Sequence, residues 1–181
     1  GELLWSMGGG GDIPVPTPIL AHEMIYLTSG HGRPSPVYAV RWTAEGEVTL
    51  RDGEVSNQHV AWSSDRRGNY MPTPIVVGDA LYCCNDIGVV SCFDARTGEL
   101  RFSERLDDGR TATTASPVAA GDRIYCTTEE GRVYVIEAGS ELRVLATNEL
   151  EETCLATPAV ADDALIFRTR GHLVKIGRDP G

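Results

Sequence analysis

The residue types that most often carry chemistry are present, but their spacing favours structural roles. The five cysteines include no Cys-x-x-Cys pair, so the spacing typical of a zinc site is absent. Cys83 and Cys84 are adjacent in an apolar stretch, and neighbours on a strand point to opposite faces of a sheet. We therefore expect buried free thiols, with a strained disulfide between this pair as the alternative.

Histidine, serine and glycine patterns also indicate no catalytic centre. The histidines do not lie at metal-ligand spacing and are typical of surface turns, unless separate sheets bring them together: His22, His31, His59 and His172. No Gly-x-Ser-x-Gly elbow is present, and the hydroxyl of Ser116, which precedes a proline, is expected to satisfy backbone groups. The Gly8–Gly11 run lacks the Lys-Ser/Thr pair of a phosphate-binding loop.

The composition is that of one folded domain with an acidic surface. The chain has 181 residues, of which 41% are hydrophobic, and its formal net charge is -10. A surface this acidic repels phosphate backbones and anionic membranes, which argues against a nucleic acid partner. No apolar run approaches the ~18 residues that span a bilayer, so we expect no direct membrane insertion.

A fourfold repeat is the strongest signal in the chain. A Thr/Ser-Pro step opens each copy, and a tyrosine, or an isoleucine in the last copy, follows the proline by eight positions. The steps are Thr17-Pro18, Thr73-Pro74, Ser116-Pro117 and Thr157-Pro158, and the residues that follow them are Tyr26, Tyr82, Tyr125 and Ile166. Proline suits a strand start because it cannot donate to a sheet. The tyrosines are expected to wedge between neighbouring sheets, with the hydroxyl reaching a partner at the rim.

The repeat period predicts a β-propeller. A period of about 40 residues, built from short β-branched runs and turns, is typical of a four-stranded blade. We predict an all-β propeller with about four blades, each a four-stranded antiparallel sheet, in one partial domain (1–181) whose ring is incomplete. The predicted units are an outer strand of a preceding blade at 2–7, a blade with an insertion at 13–65, blades at 71–106 and 114–150, and a last, incomplete blade at 155–177.

One stretch carries a family resemblance. Asp94–Phe102 is similar to the Asp-Ala-x-Thr-Gly-x-x-x-Trp signature of pyrroloquinoline-quinone-type (PQQ-like) propeller repeats, in which the final aromatic docks against the next blade. Phe102 stands at the place of that aromatic, Trp62 lies in a similar strand, and Gly1–Trp5 resembles the tail of the signature. The third unit has no such aromatic. The resemblance implies the C-terminal part of a larger propeller; the alternative is a small closed ring whose first strand completes the last blade beside Val174.

The same resemblance implies two classes of function. Quinoprotein dehydrogenases of this type hold pyrroloquinoline quinone and calcium and oxidise alcohols or sugars, whereas many members use the repeat only as a scaffold. Acidic residues here fall mostly in predicted turns, and Cys83-Cys84 lies inside a predicted strand, so we expect no cofactor. The favoured function is a non-catalytic binding or scaffold module in the periplasm or otherwise outside the cytoplasm. The alternatives are part of a quinoprotein dehydrogenase, or a structural repeat attached to a separate upstream catalytic domain.

Two loops are predicted to form a contact face. Thr28–Val37 is the longest irregular turn within a unit, and Asp65–Tyr70 is the only basic cluster. Loops on one face of a propeller usually form its binding surface. The expected partners are a protein, peptide or glycan ligand and the rest of the chain's own propeller; the alternative is a long loop with a salt-bridged rim. The candidate contact residues are His31, Arg33, Arg66, Arg67 and Tyr70.

Overall fold

The computed structural model describes residues 1–31, 33–109 and 111–177, and every regular element within these ranges is a strand. None of the described residues forms a helix that could cross a membrane. The strands are β1 (Trp5–Ser6), β2 (Ile19–Ala21), β3 (Met24–Thr28), β4 (Val37–Arg41), β5 (Gly46–Glu47), β6 (Val60–Ser64), β7 (Ile75–Val77), β8 (Ala80–Cys84), β9 (Val89–Asp94), β10 (Leu100–Arg105), β11 (Val118–Ala120), β12 (Arg123–Thr127), β13 (Arg132–Glu137), β14 (Val144–Glu149), β15 (Ala159–Ala161), β16 (Ala164–Arg168) and β17 (Leu173–Gly177).

Four antiparallel sheets form the blades of an incomplete propeller. Blade I has the strand order β2-β3-β4-β6, blade II β7-β8-β9-β10, blade III β11-β12-β13-β14, and blade IV β15-β16-β17. Each sheet follows the chain outwards from the strand that the Thr/Ser-Pro step opens. The predicted all-β propeller is therefore confirmed, with three four-stranded blades and one three-stranded blade in the part of the chain that the structure describes.

Two-residue turns close the innermost hairpins. Gly78 and Gly121 stand first in the turns of blades II and III, with φ values of 57° and 63°. In blade I the turn consists of His22 and Glu23, whose φ values of 51° and 61° are also left-handed. Such turns match the right-handed twist of the flanking strands, which explains why the chain accepts two strained non-glycine residues there.

The hydrophobic core lies between the blades, because a single blade cannot bury both of its faces. All five residues of β8, Ala80–Cys84, are buried. Cys83 packs in the cluster around Tyr26 between blades I and II, and Cys84 packs in the cluster around Ile124 between blades II and III. The expectation of buried free thiols is confirmed, and burial raises the pKa of the Cys83 thiol far above its usual value.

Two of the three repeated tyrosines, Tyr26 and Tyr82, bridge the seams between blades as predicted, whereas no such hydrogen bond from Tyr125 is found among the described residues. Tyr26 of blade I donates its hydroxyl proton to the carbonyl oxygen of Ala95 in blade II at 3.0 Å. Tyr82 of blade II donates to the carbonyl oxygen of Gly139 in blade III at 3.1 Å and accepts from the N–H of the same residue at 2.8 Å. Burial raises the pKa of both tyrosines to about 12, so they remain neutral donors at neutral pH.

An aromatic side chain from the outermost strand fills each of the first two seams. Trp62 stacks on Phe93 of blade II, with ring centroids 5.7 Å apart, and donates its Nε1 proton to the carbonyl oxygen of Ala95 at 2.9 Å. Phe102 is buried in the cluster between blades II and III, 6.3 Å from the ring of Tyr82. The docking that the family resemblance implied is confirmed for both residues.

A ladder of hydrogen bonds links the Thr/Ser-Pro steps of all four blades. The N–H of Thr17 donates to the hydroxyl of Thr73 at 3.0 Å, and the N–H of Thr73 donates to the hydroxyl of Ser116 at 2.9 Å. The N–H of Ser116 donates in turn to the hydroxyl of Thr157 at 3.0 Å. The hydroxyl of Ser116 therefore satisfies a backbone group, as expected, although that group belongs to the preceding blade.

The predicted insertion covers the face of blade I that turns away from blade II. It contains β5, which pairs in parallel with β1, and Trp5 and Val48 pack beside Val40 of the blade. This pairing contradicts the alternative in which the first strand completes the last blade beside Val174, because β1 pairs with β5 and, within the described residues, β17 pairs with β16. The assignment of residues 2–7 to a preceding blade stays a prediction.

Candidate functional site

The connector face is the side of the propeller that carries the blade-to-blade connections and the turns between the second and third strands of each blade. On this face of blade I, the loop between β3 and β4 meets the connection from β6 to β7. The N–H of Ser35 donates to the carbonyl oxygen of Asp65 at 3.3 Å, and the N–H of Gly68 donates to that of Ser35 at 2.8 Å. The two loops predicted to share a face are therefore in direct contact; Gly32 lies outside the described residues.

Glycines allow this close approach. A Cβ on Gly68 would lie 2.3 Å from the carbonyl oxygen of Pro36 and 2.8 Å from that of Ser35. A Cβ on Gly30 would lie 2.9 Å from the carbonyl oxygen of Gly68. Neither position can carry a larger residue unless the loops separate, so both glycines are required where two backbones meet.

Asn69 anchors the connection beneath the surface. It is fully buried, its N–H donates to the hydroxyl of Thr28 at 2.7 Å, and its Nδ2 donates to the carbonyl oxygen of Pro72 at 2.7 Å. Its Oδ1 is buried without a hydrogen-bond partner in the part of the chain that the structure describes. Sequence reasoning selected the charged neighbours and missed this residue, although the Gly-Asn dipeptide is itself a turn signal.

Three of the five candidate contact residues lie on the outer surface of the loop pair. The centroids of the His31 and Tyr70 rings are 4.7 Å apart, so each of the two loops contributes one ring to a shared pair on the surface. The Arg66 side chain is 74% exposed, and its Nε lies 3.9 Å from the carboxylate of Asp65. An ion pair this exposed adds little stability, so the guanidinium of Arg66 is free to engage a partner.

The other two residues lie to the side. Arg67 adopts a left-handed φ of 73° and lines a groove of about 760 Å³ between the loop pair and the insertion. Arg33 is exposed on the β3–β4 loop. The groove carries charges of both signs and suits a polar ligand; its charged residues are Arg51, Asp52, Glu54, Asp65 and Arg67. The sequence offered no signal for it, because the insertion forms one wall and has no counterpart in the other repeats.

The side chains that most often bind metals do not cluster within the described residues. Calcium takes six to eight converging oxygen ligands, and the ranges 1–31, 33–109 and 111–177 contain no group of three His, Cys, Asp or Glu side chains that could hold a metal ion. Cys83 and Cys84 pack into different interblade clusters and cannot join in a disulfide without disrupting β8. The expectation that the chain binds no cofactor stays a prediction.

On blade IV a carboxylate holds the connector to the neighbouring turn. One oxygen of Glu152 accepts from the hydroxyl of Thr169 at 2.7 Å and from the N–H of Gly171 at 2.9 Å, and the other lies 2.5 Å from Nδ1 of His172. These hydrogen bonds, with the charge of the imidazole when it is protonated, lower the pKa of Glu152 to about 2.

Glu152→Gln is expected to reduce the loss of stability in acid. Because the folded pKa of Glu152 lies below the ordinary value, its contribution is complete above about pH 4.5 and disappears as the pH falls towards 2. Urea midpoints measured from pH 6 to pH 2 should therefore fall more steeply for the wild type than for the variant. Glu141→Gln, at an exposed position, serves as the control. Parallel profiles for all three proteins would contradict the assignment.

Solved structures share this fold. BamB from Moraxella catarrhalis superposes with a TM-score of 0.59 at 16% identity, over 86% of this chain and 44% of that chain. The computationally designed Ika4 protein superposes with a TM-score of 0.69 at 10% identity, over 98% of both chains. The quinohemoprotein alcohol dehydrogenase ADHIIG from Pseudomonas putida HK5 gives a TM-score of 0.63 at 17% identity, over 92% of this chain and 30% of that chain. The chain thus spans less than half the length of the BamB structure.

The comparison with protein families covers the whole chain, whereas no curated protein matches its sequence significantly. The model that matches residues 1–181 is PQQ_2, described as "Outer membrane protein assembly factor BamB". The repeated steps, the bridging tyrosines and the docked aromatics are the structural counterpart of that match. The chain therefore belongs to the BamB-like PQQ_2 family of propeller-repeat proteins.

Proposed function

We propose that the chain is a non-catalytic binding and scaffold module that acts outside the cytoplasm, and that the loop pair of blade I forms part of its contact surface. The observation that carries this proposal is the meeting of two independent loops, which places His31 beside Tyr70 with Arg66 exposed next to them. Aromatic residues and arginine are the types enriched where proteins bind one another. A protein or peptide is therefore the favoured ligand.

The family supports the location and the class of function. Its description names a factor for the assembly of outer membrane proteins, which is a role outside the cytoplasm that depends on binding other polypeptides. The likeness to a quinohemoprotein alcohol dehydrogenase, at 17% identity, extends to the fold alone. The rest of the chain's own propeller is a further proposed partner.

The double variant Arg66→Ala/Arg67→Ala is expected to weaken capture of the polypeptide partner about fivefold, because rim charges steer association. Its melting temperature should stay nearly unchanged, since substitutions at the surface, away from the core, usually shift stability by less than about 0.5 kcal/mol. The measurement is a pull-down from an envelope extract with quantified bound protein. Arg123→Ala, at an exposed position in β12, is the matched control. Unaltered capture by the double variant would overturn the assignment of the loop pair.

A further inference from the structure

The third seam lacks the aromatic side chain that fills the first two. In the sheet register, Ala146 of β14 occupies the position that Trp62 holds in blade I and Phe102 holds in blade II. Those two residues cross to the next blade and bury themselves against it. A methyl group cannot reach that far, so the side of blade IV that faces blade III receives no equivalent cover.

Two residues of the third seam are correspondingly more exposed than their counterparts in the other seams. Ile176 of blade IV is 48% exposed, whereas Phe93 and Ile136, which hold the equivalent register positions in blades II and III, are 2% and 0% exposed. Tyr125 is half-buried, although Tyr26 and Tyr82 are fully buried. The III–IV groove that results has a volume of about 490 Å³, and its apolar walls are Tyr125, Val133, Leu150, Leu165, Phe167 and Ile176.

The groove opens beside a free strand edge. β14 is the outermost strand of blade III, all six of its residues are exposed, and its outer edge has no partner strand among the described residues. An unpaired edge of this kind is a template for an added strand. Two exposed carboxylates near this strand, those of Glu141 and Glu151, have no partner among the described ion pairs, on a chain whose net charge is already -10.

We propose that the III–IV groove binds an extended segment of a partner polypeptide, which pairs with the free edge of β14 and inserts an aromatic side chain into the groove. The inserted aromatic side chain would fill this seam, as Trp62 and Phe102 fill the first two. Glu141 and Glu151, which precede and follow β14 in the chain, favour lysine or arginine on either side of that aromatic residue. The site is separate from the loop pair of blade I and stands whether or not the loop pair binds a ligand.

A matched pair of synthetic peptides tests the proposal. The first is acetyl-Lys-Thr-Val-Trp-Val-Thr-Arg-amide, and the second carries alanine in place of tryptophan. The tryptophan peptide is expected to bind the full chain roughly tenfold more tightly than the alanine peptide in calorimetry, since a buried aromatic side chain dominates such contacts. Its amide signals in NMR should shift along Val144–Glu149. Equal affinities, or shifts confined to other strands, would overturn the proposal.

Substitutions in the groove give an independent readout. Ile176→Ser is expected to weaken binding of the tryptophan peptide about tenfold, whereas Ile87→Ser, at a position that is 50% exposed on blade II, should leave it unchanged. Ala146→Trp should fill the groove from within the chain, abolish peptide binding and raise the melting temperature. Arg66→Ala/Arg67→Ala should bind the peptide normally, which separates this site from the loop pair. Tight binding by both Ile176→Ser and Ala146→Trp would overturn the proposal.

Discussion

Replacing Trp62 with alanine is expected to lower the free energy of unfolding by about 3–5 kcal/mol. The indole is buried between blades I and II, stacks on Phe93, and donates to the carbonyl oxygen of Ala95. Removing the indole opens a cavity in the first seam. It also leaves the carbonyl oxygen of Ala95 with a single donor, the hydroxyl of Tyr26. Urea denaturation followed by circular dichroism measures the loss.

Two further tryptophan substitutions define the cause. Trp42→Ala, at a position that is 59% exposed, should change the free energy of unfolding by less than about 0.5 kcal/mol. Trp62→Phe keeps most of the packing but removes the hydrogen bond and part of the ring, so its cost should be about 1–2 kcal/mol. Phe102 fills the equivalent place in the second seam, so a phenyl ring suits a seam of this kind. Equal losses for Trp62→Ala and Trp42→Ala would contradict the role of the seam.

Gly131→Ala is expected to cost about 2–4 kcal/mol, which combines a backbone term and a packing term. Gly131 has a φ of 93°, and a Cβ there would clash with the carbonyl oxygen of Glu152, so the connection between blades III and IV would have to move. Gly53→Ala isolates the backbone term, because Gly53 has a φ of 80° and open space around it. Urea midpoints measure both, and equal costs would show that the contact with the connector is unimportant.

The fold followed from features that recur in the sequence. Each blade begins at a Thr/Ser-Pro step, and the tyrosine after it, or Ile166 in blade IV, falls in the second strand of the blade. These features could be interpreted because they recur. An isolated Pro or Tyr is compatible with many structures, whereas several copies at the same spacing are compatible with few. The same logic extended to the seams, where the docking of Phe102 and Trp62 was implied by the family signature.

Features that occur once were not predictable. The parallel pairing of β1 with β5 depends on an insertion found in blade I alone, and short two-residue strands carry no periodic pattern. At the loop pair, sequence reasoning placed the two loops on one face but selected side chains by their charge. The residues that join the loops, Gly68 and Asn69, act through backbone contact and burial, which composition does not reveal. The III–IV groove depends on an absent aromatic, and a small residue such as Ala146 is easily passed over.

The ladder of hydrogen bonds through Thr17, Thr73, Ser116 and Thr157 gives the row of blades a polarity. Each blade offers its amide to the following blade and its hydroxyl to the preceding one, so the series begins with an acceptor and ends with a donor. A further sheet that joins either end of the series head to tail, whether from a continuing polypeptide or from another molecule, would extend it by the same N–H···O hydrogen bond.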